Sequence, residues 1–204
     1  MKIIITGAGR IGKYLVERLT PEGHDIVVVD QDKAVLENLS SQFDIQVVRG
    51  NSSELQVLER AGAEKADIII AATDSDEVNL LTGLFADNLN ESAYKIARLK
   101  SHVDETKSIP SSVSVIFDQF IHPDYEAASY LLRLLEVPGA NEVQDFAGGK
   151  VRVFAVALPE ETPVIGHKLR ELRNLDGLEH TLVIGIAREG HLIIPHGDDE
   201  FQKG

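Results

Sequence analysis

Six residues near the N-terminus carry the clearest chemical signal in the sequence. Gly7, Gly9 and Gly12 form a G-x-G-x-x-G pattern that follows an apolar run and opens a helical one. There the first glycine permits a tight turn, the second lets the backbone approach a pyrophosphate, and the third lets helix and sheet pack closely. Free N–H groups at the helix start would bind the phosphates, and Arg10 adds a positive charge beside them. The pattern predicts a phosphate-binding loop; the alternative is a turn that binds nothing.

An acidic residue closes the second apolar run. Asp30 lies 18 residues after Gly12, where dinucleotide-binding strands carry the carboxylate that accepts hydrogen bonds from the adenosine ribose. This carboxylate would repel a 2′-phosphate, and the next residues, Gln31 and Asp32, provide no arginine to hold one. NADPH is therefore disfavoured. NAD(H), ATP, ADP and AMP stay open as alternatives, because all of them contain the same ribose.

Polar residues also mark three later apolar runs. Thr73 follows the fourth run and is placed to meet the second ribose or a phosphate. Arg98 lies in the fifth run, and because an arginine in an apolar strand is costly unless paired, we expect an anionic ligand or a carboxylate beside it. Asn51, after the third run, is interpreted equally well as a contact to the adenine side or as a simple turn residue.

The acidic stretch after Thr73 has two interpretations. Asp74, Asp76 and Glu77 could coordinate a hard cation, since carboxylate oxygens are its usual ligands. Acids at this position are more commonly helix caps, and no metal site is predicted.

The sequence lacks common catalytic patterns. None of the four tyrosines is followed four residues later by lysine, and there is neither a G-x-S-x-G nor an H-E-x-x-H motif. A cofactor fingerprint without an evident acid–base pair indicates a sensor, so the chain is predicted not to be an enzyme.

The elements that must position these residues alternate regularly in the first half of the chain. Short β-branched runs predict six strands, and the patterns between them predict four helices. Repeated strand–helix–strand units connect through right-handed crossovers, so the predicted fold class is α/β, a Rossmann-type doubly wound parallel sheet in the order 3-2-1-4-5-6. The predicted strands are 2–6, 25–30, 45–49, 67–72, 95–99 and 113–117, and the predicted helices are 11–19, 33–42, 54–61 and 77–89, with Asp32, Ser52 or Ser53, and Asp76 as caps and Gly62 as a stop signal.

A different pattern begins after His122-Pro123. Residues 124–136 predict an amphipathic helix that either covers the first domain or binds a partner. From residue 151 a small α+β unit is predicted, with strands at 151–158, 181–187 and 191–195, a turn at 188–190 and a short helix at 166–172. The apolar stripe of the long helix consists of Tyr130, Leu131, Leu134 and Leu135.

Composition excludes several classes of protein. The 204 residues carry 33 acidic against 20 basic side chains, a net charge of −13, so nucleic acid is not a predicted partner. With no cysteine, neither a disulfide framework nor a thiolate metal site can form. No window approaches the roughly 18 apolar residues of a membrane span. The N-terminus shows no signal-peptide pattern, so a cytoplasmic chain is expected.

Several stretches together resemble a known family. MKIIITGAGRIGKYLVERL, VVDQDKAVLENL, RGNSSELQVLERAGAEKADIIIAATDSDEVNLL and IARLKS are similar, in this order, to the nucleotide-binding part of RCK (KTN) domains, the regulatory domains of Trk-type bacterial potassium uptake. The later stretches GHKLRELRNL and LVIGIAREGHLIIPHGDDEFQKG resemble the small C-terminal RCK subdomain. The resemblance implies a nucleotide-binding domain at 1–123, a crossover helix and linker at 124–142, and a truncated C-terminal subdomain at 143–204. It also implies that the chain is the N-terminal half of a longer subunit.

The resemblance further implies a function. It describes a cytoplasmic regulatory subunit, peripheral on the inner face of the membrane, that binds NAD(H), or ATP or ADP at the same site. Its partners would be a membrane potassium-translocating subunit, which it gates, and copies of itself in a dimer or larger ring. The alternative is an NAD-dependent dehydrogenase with a small C-terminal substrate domain.

Site residues are also implied position by position. The family usually carries an acid where this chain has Asn51, which leaves that contact open. The implied nucleotide contacts are Gly7, Ala8, Gly9, Arg10, Ile11, Asp30, Thr73, Asp74 and Arg98.

Overall fold

The computed structural model describes residues 1–100, 110–159, 161–174 and 181–203. They form two compact units, Met1–Ser129 and Tyr130–Gly204. Among the described helices, none is long and apolar enough to cross a membrane.

A six-stranded parallel sheet forms the centre of the first unit. Its strands are β1 (Lys2–Thr6), β2 (Asp25–Asp30), β3 (Gln46–Arg49), β4 (Ile68–Ala71), β5 (Tyr94–Arg98) and β6 (Gln119–Ile121). They lie in the order β3-β2-β1-β4-β5-β6. The predicted Rossmann-type order is therefore confirmed.

Helices cover both faces of this sheet. They are α1 (Arg10–Leu19), α2 (Lys33–Gln42), α3 (Leu55–Ala61), α4 (Asp76–Leu89) and the short α5 (Ser111–Ser114). Alternate residues of β1 pack on opposite sides, Ile4 with α3 and α4, and Ile3 and Ile5 with α1 and α2. Because helices cover both faces of the sheet, the middle residues of β1, β2 and β4 are isoleucine and valine, and each one that is buried contributes about 1.5–3 kcal/mol.

Helix ends confirm two predicted signals and correct two others. Asp32 caps α2 by accepting hydrogen bonds from Ala34 N and Val35 N, and Gly62 ends α3 in the left-handed conformation. The predicted caps Ser52 or Ser53 and Asp76 are wrong. Glu54 is the N-cap of α3, and Ser75 caps α4 through Val78 N, with Asp76 already inside the first turn.

The sixth strand lies later than predicted. Residues 113–117 were expected to form it, but α5 and a turn occupy this region and β6 begins at Gln119. The apolar run is ambiguous because Val113, Ile116 and Phe117 are spaced i, i+3 and i+4, which also suits one turn of helix. Phe117 is buried here, and its ring packs with that of Phe120 at a centroid distance of 4.9 Å.

The helix α6 (Pro123–Glu136) follows, as predicted, and none of its residues is buried. The second unit then contains two antiparallel hairpins, β7 (Ala140–Phe146) with β8 (Val151–Val156) and β9 (Ile186–Arg188) with β10 (His191–Ile193). Strand β7 was not predicted, and the predicted strands at 151–158, 181–187 and 191–195 are each shorter in the structure. The turn at 188–190 is confirmed, and the expected helix at 166–172 is a 3₁₀ helix at Leu169–Asn174.

Candidate functional site

The carboxyl ends of β1, β2 and β4 border a cleft of about 1080 Å³ in the first unit. The strand order reverses between β1 and β4, which is where open parallel sheets bind their ligands. All nine residues predicted as nucleotide contacts line this cleft. The fold thus brings the predicted residues together, and their contact with a ligand stays a prediction.

The loop after β1 needs glycine at two of its three glycine positions. Gly7 has a φ of +94°, and a Cβ there would lie 2.9 Å from backbone atoms of Ala72 and Thr73. A Cβ on Gly12 would overlap the carbonyl oxygen of Gly7, so only glycine lets α1 pack this closely against the loop. By contrast, a Cβ on Gly9 would meet no atom within 4 Å. Gly9 is not required by packing, and the space beside it belongs to the cleft.

The N-terminus of α1 differs from those of α2 and α4, which also border the cleft. Those of α2 and α4 are capped by the side chains of Asp32 and Ser75. The N-cap of α1 is Gly9, which offers no side-chain acceptor, and the first turn contains no acidic residue. Its first-turn N–H groups and the positive end of the helix dipole remain available to an anion. Arg10, the first helical residue, is exposed beside them.

Asp30 connects the end of β2 to the glycine loop. Its Oδ2 accepts a hydrogen bond of 2.6 Å from the backbone N–H of Ala8, and its Oδ1 accepts one of 2.8 Å from that of Asp32. Hydrogen bonds to an ionised carboxylate are strong, so this group is held in place. Each oxygen keeps a further lone pair, which leaves room for the two hydroxyls of a ribose. Asp30 therefore fits its predicted role and also holds the glycine loop in place.

An arginine that the sequence interpretation missed stands beside Asp30. Arg49 is the β3 partner of Asp30 in the strand register, and its Nε donates to the carbonyl oxygen of Gln31 at 3.2 Å. The residues that follow Asp30 in the chain are Gln31 and Asp32, whereas this guanidinium comes from the neighbouring strand. A guanidinium is thus present beside Asp30, so the expected repulsion of a 2′-phosphate would rest on the Asp30 carboxylate.

Arg98 pairs with a carboxylate, as expected from its place in an apolar strand. Its Nη1 donates to Asp74 Oδ1 at 3.0 Å and to the Thr73 carbonyl at 3.2 Å, and Lys100 Nζ lies 3.6 Å from the same Asp74 oxygen. The hydrogen bond from Arg98 and the charge of Lys100 lower the pKa of Asp74. With the Asp74 side chain 88% exposed, this pair adds little stability, but it sets the local charge.

The acidic stretch after Asp74 is used within the protein. Asp76 accepts a hydrogen bond from the backbone N–H of Lys100 at 2.8 Å, and Glu77 accepts one from Ser75 Oγ at 2.6 Å. The latter bond lowers the pKa of Glu77. In the described parts of the chain, no three histidine, aspartate or glutamate side chains are grouped to hold a metal ion.

A buried amide that the sequence interpretation did not single out organises this side of the cleft. Asn79 lies in α4 and is fully buried. Its Oδ1 accepts from Thr73 N at 2.9 Å and Thr73 Oγ1 at 2.6 Å, and its Nδ2 donates to the carbonyls of Thr73 at 3.1 Å and Arg98 at 2.8 Å. All four hydrogen-bonding positions of the amide are used. Asn79 therefore joins α4 to the ends of β4 and β5.

This amide also changes what Thr73 can offer a ligand. The single hydroxyl proton of Thr73 has two acceptors within the protein, Asn79 Oδ1 at 2.6 Å and the Ser75 carbonyl at 3.2 Å, and the hydroxyl oxygen accepts from Ser75 N at 3.4 Å. Toward the cleft the side chain therefore offers an acceptor lone pair and not a donor. The available sequence signal was a polar residue on the side of α4 that faces the sheet.

The loop after β3 brings Asn51 and Ser52 to the cleft. Oδ1 of Asn51 accepts hydrogen bonds from the backbone N–H and the hydroxyl of Ser53, at 3.1 and 2.8 Å. Ser52 is buried, and its Oγ accepts a 2.8 Å bond from Thr82 of α4. Asn51 thus forms a turn, as its interpretation as a turn residue predicts. It also lines the cleft, as a contact to the adenine side would require.

Comparisons with known proteins agree with this fold. Two family models match the chain, the TrkA-N domain at residues 3–118 and the TrkA-C domain at residues 153–204. The Trk system potassium uptake protein TrkA of Halomonas elongata is 40% identical over 199 residues, which cover 97% of this chain and 44% of that protein. The chain spans less than half the length of the curated relatives it matches.

Solved structures share the architecture. The GsuK channel bound to NAD aligns with a TM-score of 0.67 at 21% identity, over 99% of this chain and 35% of that chain. GsuK bound to ADP aligns with a TM-score of 0.51 at 25% identity, over 59% of this chain and 31% of that chain. The TrkA-N model alone covers more than half of the residues, and the TrkA-C model follows it in the family order. The resemblance seen in the sequence is confirmed: the chain belongs to the TrkA family, with a TrkA-N domain followed by a TrkA-C domain.

Proposed function

We propose that this chain binds an adenine nucleotide, either NAD(H) or ADP and ATP, and thereby regulates a Trk-type potassium uptake system. The observation that carries the proposal is the uncapped N-terminus of α1 beside the open space at Gly9, with the fixed carboxylate of Asp30 on the next strand. The first feature fits a phosphate and the second fits a ribose diol. An adenosine nucleotide joins these two groups in one molecule.

The regulatory part of the proposal is supported by the relatives. The Halomonas elongata relative is named a Trk system potassium uptake protein, and a GsuK structure at 25% identity is bound to ADP. On this proposal the nucleotide changes the arrangement of several copies of the chain, and a potassium-translocating membrane subunit follows that change at the inner face of the membrane. A ligand can do this only if its affinity differs between the two arrangements.

The proposal makes the chain a regulator and not an enzyme. The dehydrogenase alternative requires hydride transfer from NADH to a carbonyl substrate. Loss of NADH absorbance at 340 nm with a panel of small carbonyl compounds would support that alternative, and the regulatory proposal predicts no turnover.

The test is potassium flux into proteoliposomes that contain the membrane subunit together with the wild-type protein. We expect ADP or NADH to change the flux, and Asp30→Asn to abolish the nucleotide effect at the same concentration. The matched control is Asp25→Asn. Asp25 is the first residue of β2 and Asp30 is the last, so Asp25 is exposed at the amino end of the strand, away from the cleft. A flux that no adenine nucleotide alters, or one that responds equally in Asp30→Asn, would contradict the proposal.

A further inference from the structure

The position of a bound purine ring follows from the ribose position, so this inference rests on the proposed function. Asp30 ends β2, Arg49 is its register partner on β3, and Gly50 N donates to the carbonyl of Asp30 at 2.9 Å. Asn51 is the next residue and lines the same cleft. A base attached to a ribose at Asp30 and directed toward β3 therefore meets the side chain of Asn51.

The hydrogen-bonding character of Asn51 is set by its neighbour. An amide oxygen has two lone pairs, and Ser53 occupies both of them with its N–H and its hydroxyl. The amide nitrogen, with two N–H donors, has no acceptor among the residues that the structure describes. Toward the cleft, Asn51 is thus a hydrogen-bond donor. An aspartate at this position could act only as an acceptor.

A donor and an acceptor select different purines. Adenine carries an amino group at C6, which an acceptor recognises, whereas 6-oxopurines carry a carbonyl oxygen there. The ring nitrogen N7 accepts a hydrogen bond in both classes. A donor can bind N7 in either class and O6 in a 6-oxopurine, so it cannot use the amino group to reject the second class.

We propose that Asn51, held as a donor by Ser53, determines the base specificity of this site and lets it accept 6-oxopurine nucleotides as well as adenine nucleotides. A protein discriminates strongly against a ligand that lacks the amino group only where a buried acceptor of the site would be left without a hydrogen bond. In this chain that acceptor is already satisfied within the loop.

The experiment is calorimetric titration of the whole chain with ADP and with inosine diphosphate, which differ at the 6-position of the base. For the wild type we expect the two dissociation constants to differ by less than about tenfold. Asn51→Asp replaces the donor by an acceptor, so the preference for ADP should rise by at least about tenfold relative to wild type. Ser53→Ala frees one lone pair of the amide oxygen and should shift the preference in the same direction without adding a charge.

The control variant Asn38→Asp adds the same charge on α2, where the exposed Asn38 accepts a hydrogen bond from Gln42. It should leave the ratio of the two constants unchanged. A wild-type preference for ADP of about tenfold or more, or a ratio that Asn51→Asp does not change, overturns the inference while leaving the proposed function intact. Absence of binding by both nucleotides, and by NADH titrated in the same way, overturns the proposed function itself.

Discussion

Replacing Asn79 by alanine removes one side chain that holds two edges of the cleft together. The substitution deletes four hydrogen bonds, two accepted by Oδ1 and two donated by Nδ2. Each neutral hydrogen bond contributes about 1 kcal/mol, and the Thr73 carbonyl retains its bond from Arg98 Nη1. We therefore expect the free energy of unfolding to fall by about 3 kcal/mol, which for a chain of this length lowers Tm by about 6–12 °C.

Nucleotide affinity should fall as well. Without the amide, the segment at Thr73 and the backbone of Arg98 lose their common anchor, and a loss of about tenfold in affinity is the expected result. Thermal unfolding followed by circular dichroism, and calorimetric titration with ADP well below Tm, measure the two effects.

Asn90→Ala is the matched control for this prediction. Asn90 follows the other end of α4 and also binds backbone carbonyls, with Nδ2 donating to Ala66 O at 3.0 Å. It should lower Tm without changing the affinity for ADP. An Asn79→Ala protein whose Tm falls by less than about 2 °C, or whose affinity falls no more than that of Asn90→Ala, would refute the reasoning.

Two further predictions concern the loop and the charge of the cleft. Gly12→Ala forces a methyl group into the Gly7 carbonyl and should lower Tm by several degrees. Gly9→Ala places its methyl group in free space, so it should keep Tm within about 2 °C of wild type while weakening ADP binding. Equal Tm values for the two variants would contradict this. Asp74→Asn removes a negative charge next to Arg98 and Lys100, so at low salt the affinity for ATP should rise by about threefold and that for AMP by less. A weaker affinity for ATP would contradict this charge argument and would support the direct contact of Asp74 with the nucleotide that the family resemblance implies. Because the hydrogen bond from Arg98 and the charge of Lys100 lower the pKa of Asp74, its charge persists at neutral pH and is lost only in acid, where wild type should come to resemble Asp74→Asn in its ATP preference.

The parallel sheet and the glycine loop could be predicted because their signals are local. Buried parallel strands are continuous apolar runs, as in the segments that became β1 and β2, and the loop requires glycine at Gly7 and Gly12 for steric reasons. Strand β6 was misplaced because a short apolar run satisfies the period of a helix turn as well as that of a buried strand. Strand β7 is mostly exposed and polar, so it carries no apolar signal.

The parts of the site that sequence reasoning missed depend on neighbours across the sheet. Arg49 reaches the end of β2 from β3, and Asn79 meets Thr73 and Arg98 only because α4 packs over β4 and β5. Such contacts follow from strand order and register, which no single motif in the sequence specifies. The satisfied amide oxygen of Asn51 is of the same kind, since it depends on the turn formed by Ser53.

The central claim is that the ribose of an adenine nucleotide binds at Asp30, with its phosphates on the N-terminus of α1. Calorimetric titration of NADH and ADP into the wild type, Asp30→Asn and Asp25→Asn tests this most directly. The account predicts binding of at least one of the two nucleotides by the wild type and by Asp25→Asn, and an affinity at least about tenfold lower for Asp30→Asn. Failure of the wild type to bind either nucleotide, or equal affinity in Asp30→Asn, would contradict it.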